Sequence, residues 1–384
     1  MRKIVVITGA RSDYGIYLPL LKKIKSDADL ELHLFVTGMH LSPEFGMTVQ
    51  AITRDGFEIE EQVEMLVSSD SPQGIAKSIG LGIIGFAQAY TRFMPDILIV
   101  LGDRFEMYAA AVAALPFRIP VAHIHGGEVT NGAIDDAIRH SITKLSHLHF
   151  VAIEEYAKRV IQLGEEPWRV TVSGALSLDN MNFIEPLSAQ EVEARFRLSL
   201  KDPPLLVTFH PVTMEYERTD WQINELLEAL KSFDMPIVFT LPNADTHGRI
   251  IRNAISKFIE QHKNSCMVDS FGVEGYFSMM KYAAAMVGNS SSGIIEAPSF
   301  KLPAVNIGTR QRGRVRAANV IDVGYIRNEI IEGVSRSLSQ EFRDGLDNLA
   351  NPYGNRHAAQ RIIEVLRGIT FDDQLTQKRF YDCG

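Results

Sequence analysis

Asp96-Ile97-Leu98-Ile99-Val100-Leu101-Gly102-Asp103-Arg104-Phe105-Glu106 is the stretch from which the fold can be read. Its apolar run has no polar face, as expected of a strand buried on both sides in a parallel sheet. The run stops at a glycine and charged residues, and an alanine-rich helix is expected from Met107 to Leu115. Ile119-Pro120-Val121-Ala122-His123-Ile124 then reads as the next strand, which completes a βαβ unit. Upstream, Ile4-Val5-Val6-Ile7 ends at Thr8-Gly9 and precedes Leu20, Leu21 and Ile24 at helical spacing. Leu32 to Val36 ends at Thr37-Gly38, and a glycine-dotted helix is expected from Ile75 to Phe93. Downstream, Val170–Val172, Leu205–Phe209, Pro236–Thr240, Ala285–Val287 and Ala304–Ile307 repeat the pattern, each handing over to a polar or glycine- or proline-marked turn.

At roughly 150 residues per domain, the 384 residues suggest two domains. The expected architecture is α/β: two Rossmann-like, doubly wound parallel-sheet domains facing a cleft, divided near Ser173-Gly174-Ala175. Ligands are expected beyond the carboxyl ends of the strands. A hydrophobic fraction of 46% excludes disorder, and two cysteines exclude a disulfide scaffold and suit a reducing cytoplasm. No run approaches the ~18 apolar residues of a membrane span. A net charge of −8 argues against a nucleic-acid surface.

The strand ends hold the candidate chemistry. Thr8-Gly9-Ala10-Arg11-Ser12-Asp13-Tyr14-Gly15 lacks the dinucleotide spacing, but Arg11 and backbone N–H groups can meet an anion at a helix start. Asp103, accompanied by Arg104 and Glu106, is either a helix cap or a site carboxylate. His123-Ile124-His125-Gly126-Gly127-Glu128 is followed by Asp135-Asp136 and Arg139-His140. Strand alternation would put both imidazoles on one face, and the paired glycines would admit a ligand or backbone. Acid–base work by carboxylates and imidazoles fits this set, and a His-x-His metal site is the lesser alternative. His210 stands at another strand end, and Asn243 and Asp245 lie in a turn. Asn289-Ser290-Ser291-Ser292-Gly293 offers hydroxyl and backbone donors to phosphate, with Glu296 one turn on, either capping or accepting from ribose hydroxyls. Arg310, Arg312, Arg314 and Arg316 concentrate positive charge nearby. Together these features point to a nucleoside diphosphate held mainly by the second half. No Walker lysine follows a glycine-rich loop, which argues against a nucleotide-hydrolysing P-loop.

In these motifs, together with Val36-Thr37-Gly38-Met39-His40-Leu41 and Asp135-Asp136-Ala137-Ile138-Arg139-His140-Ser141-Ile142, the chain resembles the hydrolysing UDP-N-acetylglucosamine 2-epimerases. The resemblance runs through nearly the whole chain. It implies a glycosyltransferase-B-like fold with domains at 1–174 and 175–364 and a terminal segment, 365–384, returning to the first. It implies that UDP-N-acetylglucosamine and water give N-acetylmannosamine and UDP, by anti elimination to 2-acetamidoglucal and then water addition, without cofactor or metal. Asp103 and Asp135 would be the acid/base carboxylates, with His210 near the sugar and diphosphate. Arg11, Ser290, Ser291 and Glu296 would hold UDP, and Asp13, Arg104, Asp136, Arg139, Asn243, Asp245, Ser292, Gly293, Arg310 and Arg312 complete the expected substrate contacts. Some members carry a catalytic Glu where this chain has His125, which leaves that role to His125 or to Glu128. The partners implied are a UDP-sugar and further copies of the chain, as a homodimer or homotetramer. The same reaction on UDP-2,4-diacetamido-2,4,6-trideoxyglucose is the nearest rival. A retaining glycosyltransferase and a non-catalytic nucleotide-sugar sensor are rivals of other classes.

Overall fold

Two sheets, each parallel throughout, organise the computed structural model, which describes residues 1–383 except 68, 70, 131–133, 213 and 241–247. The first contains β1 (Arg2–Thr8), β2 (Leu30–Thr37), β3 (Ile59–Val63), β4 (Ile97–Leu101), β5 (Val121–Ile124), β6 (Leu148–Val151) and β7 (Val170–Val172). Its spatial order is β3-β2-β1-β4-β5-β6-β7. The second contains β8 (Leu205–Thr208), β9 (Ile237–Thr240), β10 (Ser265–Val268), β11 (Ala285–Gly288), β12 (Ala304–Ile307) and β13 (Val320–Val323), ordered β10-β9-β8-β11-β12-β13.

Chain direction across each sheet reverses at one point, between β1 and β4 in the first and between β8 and β11 in the second. Connections leave such a switch point on opposite faces, which opens a crevice beyond the strand ends. The loops after these four strands begin at Gly9, Gly102, Phe209 and Asn289, where the sequence places much of its candidate chemistry. The strands are apolar because helices cover both faces: Ile97, Leu98, Ile99 and Val100 are fully buried, as are Val5, Ile7, Leu205 and Phe239. Among the described residues, no helix is long and apolar enough to cross a membrane.

The chain divides into two compact units. One comprises Met1–Glu128, Asp135–Phe183 and the segment from Tyr353 onward; Val129–Ile134 is grouped with Ile184–Pro352 in the other. The crossing thus follows Phe183 rather than residue 174, and the return comes at Tyr353 rather than 365. Hydrogen bonding explains both differences. Asn180 donates to the Gly15 carbonyl at 2.9 Å, within the helix Arg11–Lys25, and so keeps the turn Leu176–Asn182 on the first unit. Asp179 accepts the N–H groups of Ala358 and Ala359 at 3.0 and 2.7 Å, capping the returning helix Ala358–Gly368. Ala359, Ile362 and Leu366 of that helix are fully buried in the first core, beside Tyr17, Leu20 and Ile24. Arg169, itself 1% exposed, then donates to the Leu375 and Gln374 carbonyls at 2.9 and 2.6 Å.

Candidate functional site

In the first unit the helix Arg11–Lys25 starts straight after β1, and no side chain caps its first turn. Arg11 is exposed there, as an anion ligand must be. Asp13 faces inward, 5% exposed, and its carboxylate accepts the Gly9 N–H at 3.3 Å. Burial raises its pKa from 3.8 to about 6, opposed by Arg104 and assisted by Glu106. Glu106 is fully buried and takes Arg104 in a two-pronged pair at 3.2 and 3.1 Å. Arg104, expected as a substrate ligand, is therefore engaged from within the unit. Glycine is required opposite this pair. At Gly38 (φ +59°) an added Cβ would lie 2.8 Å from Glu106 Oε1.

The ends of β4 and β5 assemble around Arg139, which is 1% exposed. Its guanidinium bonds the Asp103 carboxylate, donates to the Glu128 carbonyl at 3.0 Å and lies 3.9 Å from Asp136. Asp103 is thus not the cap of the following helix, whose N-cap position falls on Arg104 and has no side-chain hydrogen bond. Asp135 and Asp136 open the helix Ile134–Leu145, and His140 lies 3.6 Å from Asp136. His123 is fully buried, donates from Nε2 to the Gly102 carbonyl at 2.7 Å and sits 3.3 Å from Thr143 Oγ1. Burial lowers its pKa to about 3, so it is a neutral structural imidazole. The alternation that would pair it with His125 ends at Ile124. His125 takes a left-handed backbone (φ +64°), and its Nδ1 meets Glu128 Oε1 at 2.6 Å. Gly127 (φ +74°) serves backbone rather than ligand, since a Cβ there would lie 2.5 Å from the Tyr156 carbonyl oxygen. The two imidazoles hold different partners, and among the described residues no three His, Cys, Asp or Glu side chains converge as metal ligands.

In the second unit Asn289 organises the ends of β8 and β11. Its side-chain amide accepts the His210 N–H at 2.7 Å and donates to the His210 carbonyl at 2.8 Å. Its own carbonyl accepts from Arg310 at 3.1 Å and Gln311 at 2.8 Å. At Gly288 (φ +136°) any Cβ would collide with the Thr208 carbonyl oxygen. Ser290 Oγ accepts the Ser292 N–H at 3.3 Å, at the start of the short helix Ser292–Ile295 that includes Gly293. Ser291 occupies its N-cap position without a side-chain cap bond, and Glu296, 8% exposed, lies at its carboxyl end rather than in a capping box. Arg312 is exposed, whereas Arg316 is spent on Asp322 and on the Gln311 and Arg314 carbonyls. Asn243 and Asp245 lie outside the described residues. The sequence did not single out Tyr276. Its hydroxyl lies among those of Thr208, Ser290 and Ser292, with Glu296 near, and burial raises its pKa to about 12. It sits within a helix among ordinary core residues and carries no sequence signal.

The family model described as UDP-N-acetylglucosamine 2-epimerase matches residues 22–367. A relative from Campylobacter jejuni, named GDP/UDP-N,N'-diacetylbacillosamine 2-epimerase (hydrolyzing), is 39% identical over 99% of both chains. The polysialic acid biosynthesis protein P7 of Escherichia coli is 38% identical over 100% of this chain and 98% of its own. A UDP-N-acetylglucosamine 2-epimerase from Neisseria meningitidis is 34% identical over 100% and 99%. Among solved structures, the Neisseria meningitidis UDP-GlcNAc 2-epimerase bound to UDP-GlcNAc superposes with a TM-score of 0.83 at 20% identity, over 95% of this chain and 99% of that one. At that identity the likeness speaks for the fold.

Proposed function

The chain belongs to the UDP-N-acetylglucosamine 2-epimerase family, and we propose that it is a hydrolysing 2-epimerase of a UDP-2-acetamido sugar. The preferred substrate is UDP-N-acetylglucosamine, giving N-acetylmannosamine and UDP for sialic acid synthesis. The observation that carries the reading is Arg139, a buried guanidinium that fixes Asp103 beside Asp136 and the His125–Glu128 turn. Epimerisation needs such a set of ionisable groups. Departure of UDP builds positive charge at C1 and acidifies C2–H, so a carboxylate, Asp103 or Asp135, can take that proton. The electron pair becomes the C1–C2 double bond of the glycal, and the C1–O pair leaves with UDP. Water then adds at C1 while C2 is reprotonated on the opposite face. Arg11, Ser290, Ser291 and Arg310 would supply donors to the diphosphate and steady the departing charge. Glu296 would accept from ribose hydroxyls, and His210 would lie near the sugar and diphosphate. No redox change occurs, so no redox cofactor is required.

A second reading keeps the chemistry and changes the sugar to UDP-2,4-diacetamido-2,4,6-trideoxyglucose. The names of the 39%-identical relative and of a 35%-identical one from Legionella pneumophila, both diacetylbacillosamine 2-epimerases, favour it. The test is to offer both sugars in parallel in deuterium oxide. The reading expects UDP release and a manno-configured free sugar with one deuterium at C2. Product without deuterium would exclude elimination, and the faster substrate decides the sugar.

A further inference from the structure

His125 stands one residue past β5 in a left-handed conformation that is uncommon outside glycine. Its N–H is tied to the Phe150 carbonyl at 2.9 Å, and Gly127 is pressed onto Tyr156 two residues later, so the turn has little freedom. The conformation fixes the direction of the ring. Nδ1 meets Glu128 Oε1 at 2.6 Å, and the residues are 9% and 2% exposed. A carboxylate only accepts hydrogen bonds, so Nδ1 carries a proton toward it. Nε2 is buried and has no hydrogen-bond partner among the described residues. Native structures rarely leave such an atom unsatisfied, because each one costs stability. An imidazole oriented at one nitrogen by a carboxylate and left unpartnered at the other, among the described residues, is arranged to move a proton.

Resting on the 2-epimerase reading, we propose that His125 Nε2 delivers the proton to C2 of the glycal, with Glu128 as its positioning residue. Asp103 is bonded to a guanidinium, which suits it to receive a proton rather than to supply one. In the first half a carboxylate takes the C2 proton and UDP leaves with the C1–O pair. In the second, the double-bond pair takes the Nε2 proton to form the new C2–H bond. Water bonds C1 and gives its surplus proton to solvent. The imidazole is recharged from solvent and the carboxylate discharges to it, so the cycle closes with one proton released. Glu128 holds the Nδ1–H and balances the imidazolium charge between turnovers.

The test compares the full-length wild type with His125→Gln, His125→Asn and Glu128→Gln, using whichever UDP-sugar the wild type turns over. Asparagine tolerates a left-handed backbone, so His125→Asn controls for turn strain. Both His125 variants are expected to release UDP while the glycal accumulates, with formation of the epimerised sugar lowered at least ~100-fold. Supplied with the glycal of that sugar in deuterium oxide, wild type forms the manno-configured free sugar deuterated at C2 and these variants do not. Glu128→Gln is expected to show the same leak with kcat lowered and KM unchanged, and Glu128→Asp to recover part of it. Epimerised product from both His125 variants at near wild-type rate overturns the assignment. So does a parallel fall of UDP release and hydration without glycal, in variants that still bind UDP. If wild type releases no UDP from either sugar, the 2-epimerase reading falls and takes this one with it.

Discussion

Glu165→Gln is expected to destabilise the first unit by about 2–3 kcal/mol at pH 7. The carboxylate is fully buried, accepts Lys144 Nζ at 2.6 Å and Lys378 Nζ at 2.7 Å, and lies 3.0 Å from His149 Nε2. Burial acts to raise its pKa, but the hydrogen bond and charge of His149, followed by Lys378 and Lys144, outweigh burial and bring it from 4.5 to about 2. At about 1.4 kcal/mol for each tenfold change in acidity, that displacement is worth about 3 kcal/mol. Burial also lowers the pKa of His149 and favours its neutral form, so the charges that matter are the two lysines, and the figure is reduced toward 2. The sign follows from linkage. A carboxylate whose folded pKa lies below its unfolded one contributes fully above pH 4.5 and loses that contribution as pH falls toward 2. Denaturant unfolding followed through Trp168, in a Trp221→Phe background, reads the first unit alone; Arg169 stacks over this indole at 4.2 Å. Wild type should lose stability between pH 4.5 and 2 more steeply than the variant. A loss below about 1 kcal/mol at pH 7, or parallel acid limbs, would refute the reasoning.

Three further outcomes are expected. Asp103→Asn and Asp135→Asn should each lower turnover at least ~100-fold while UDP binding survives, measured by product release and calorimetry. Asn289→Ala removes both hydrogen bonds to the His210 backbone. At about 1 kcal/mol each, it should weaken UDP binding by at least ~10-fold in a calorimetric titration. Gly288→Ala places a methyl group against the Thr208 carbonyl, and denaturant unfolding followed through Trp221 should show the second unit losing at least ~2 kcal/mol.

The alternation of strand and helix was legible because β1, β4, β8 and β11 are apolar runs ended by glycine, polar or charged residues. Four strands were not. β6 has His149 at its centre, which reads as polar until Glu165, sixteen residues on, satisfies it. β3 is an edge strand with three polar residues in five, β13 carries Asp322 paired with Arg316, and β10 begins at Ser265 with Cys266 next. The same limit governs the site. Glycines, hydroxyls and charges at strand ends announce themselves locally. The Arg139–Asp103 bond joins residues 36 apart, and Tyr276 reaches its hydroxyl neighbours from a helix with no marked spacing. Residue type and spacing propose such groups, but only the packed chain decides whether an arginine is spent inward, as Arg104 and Arg316 are, or exposed, as Arg11 and Arg312 are.

The return of the chain at Tyr353 bears on the order in which the protein is made. Residues 184–352 hold all six strands of the second sheet, so that sheet can close during synthesis on local information. The first core cannot. Its helix Arg11–Lys25 waits for Ala359, Ile362 and Leu366, and the Asp179 carboxylate waits for the N–H groups it caps. Most of the first-made half therefore emerges before the residues that seal it, leaving apolar surface open until the segment from Tyr353 onward is translated. Synthesis runs from the first unit to the second, and completion runs the other way. Nascent chains released before residue 353 should engage chaperones through their N-terminal half, even though that half contains a whole seven-stranded sheet.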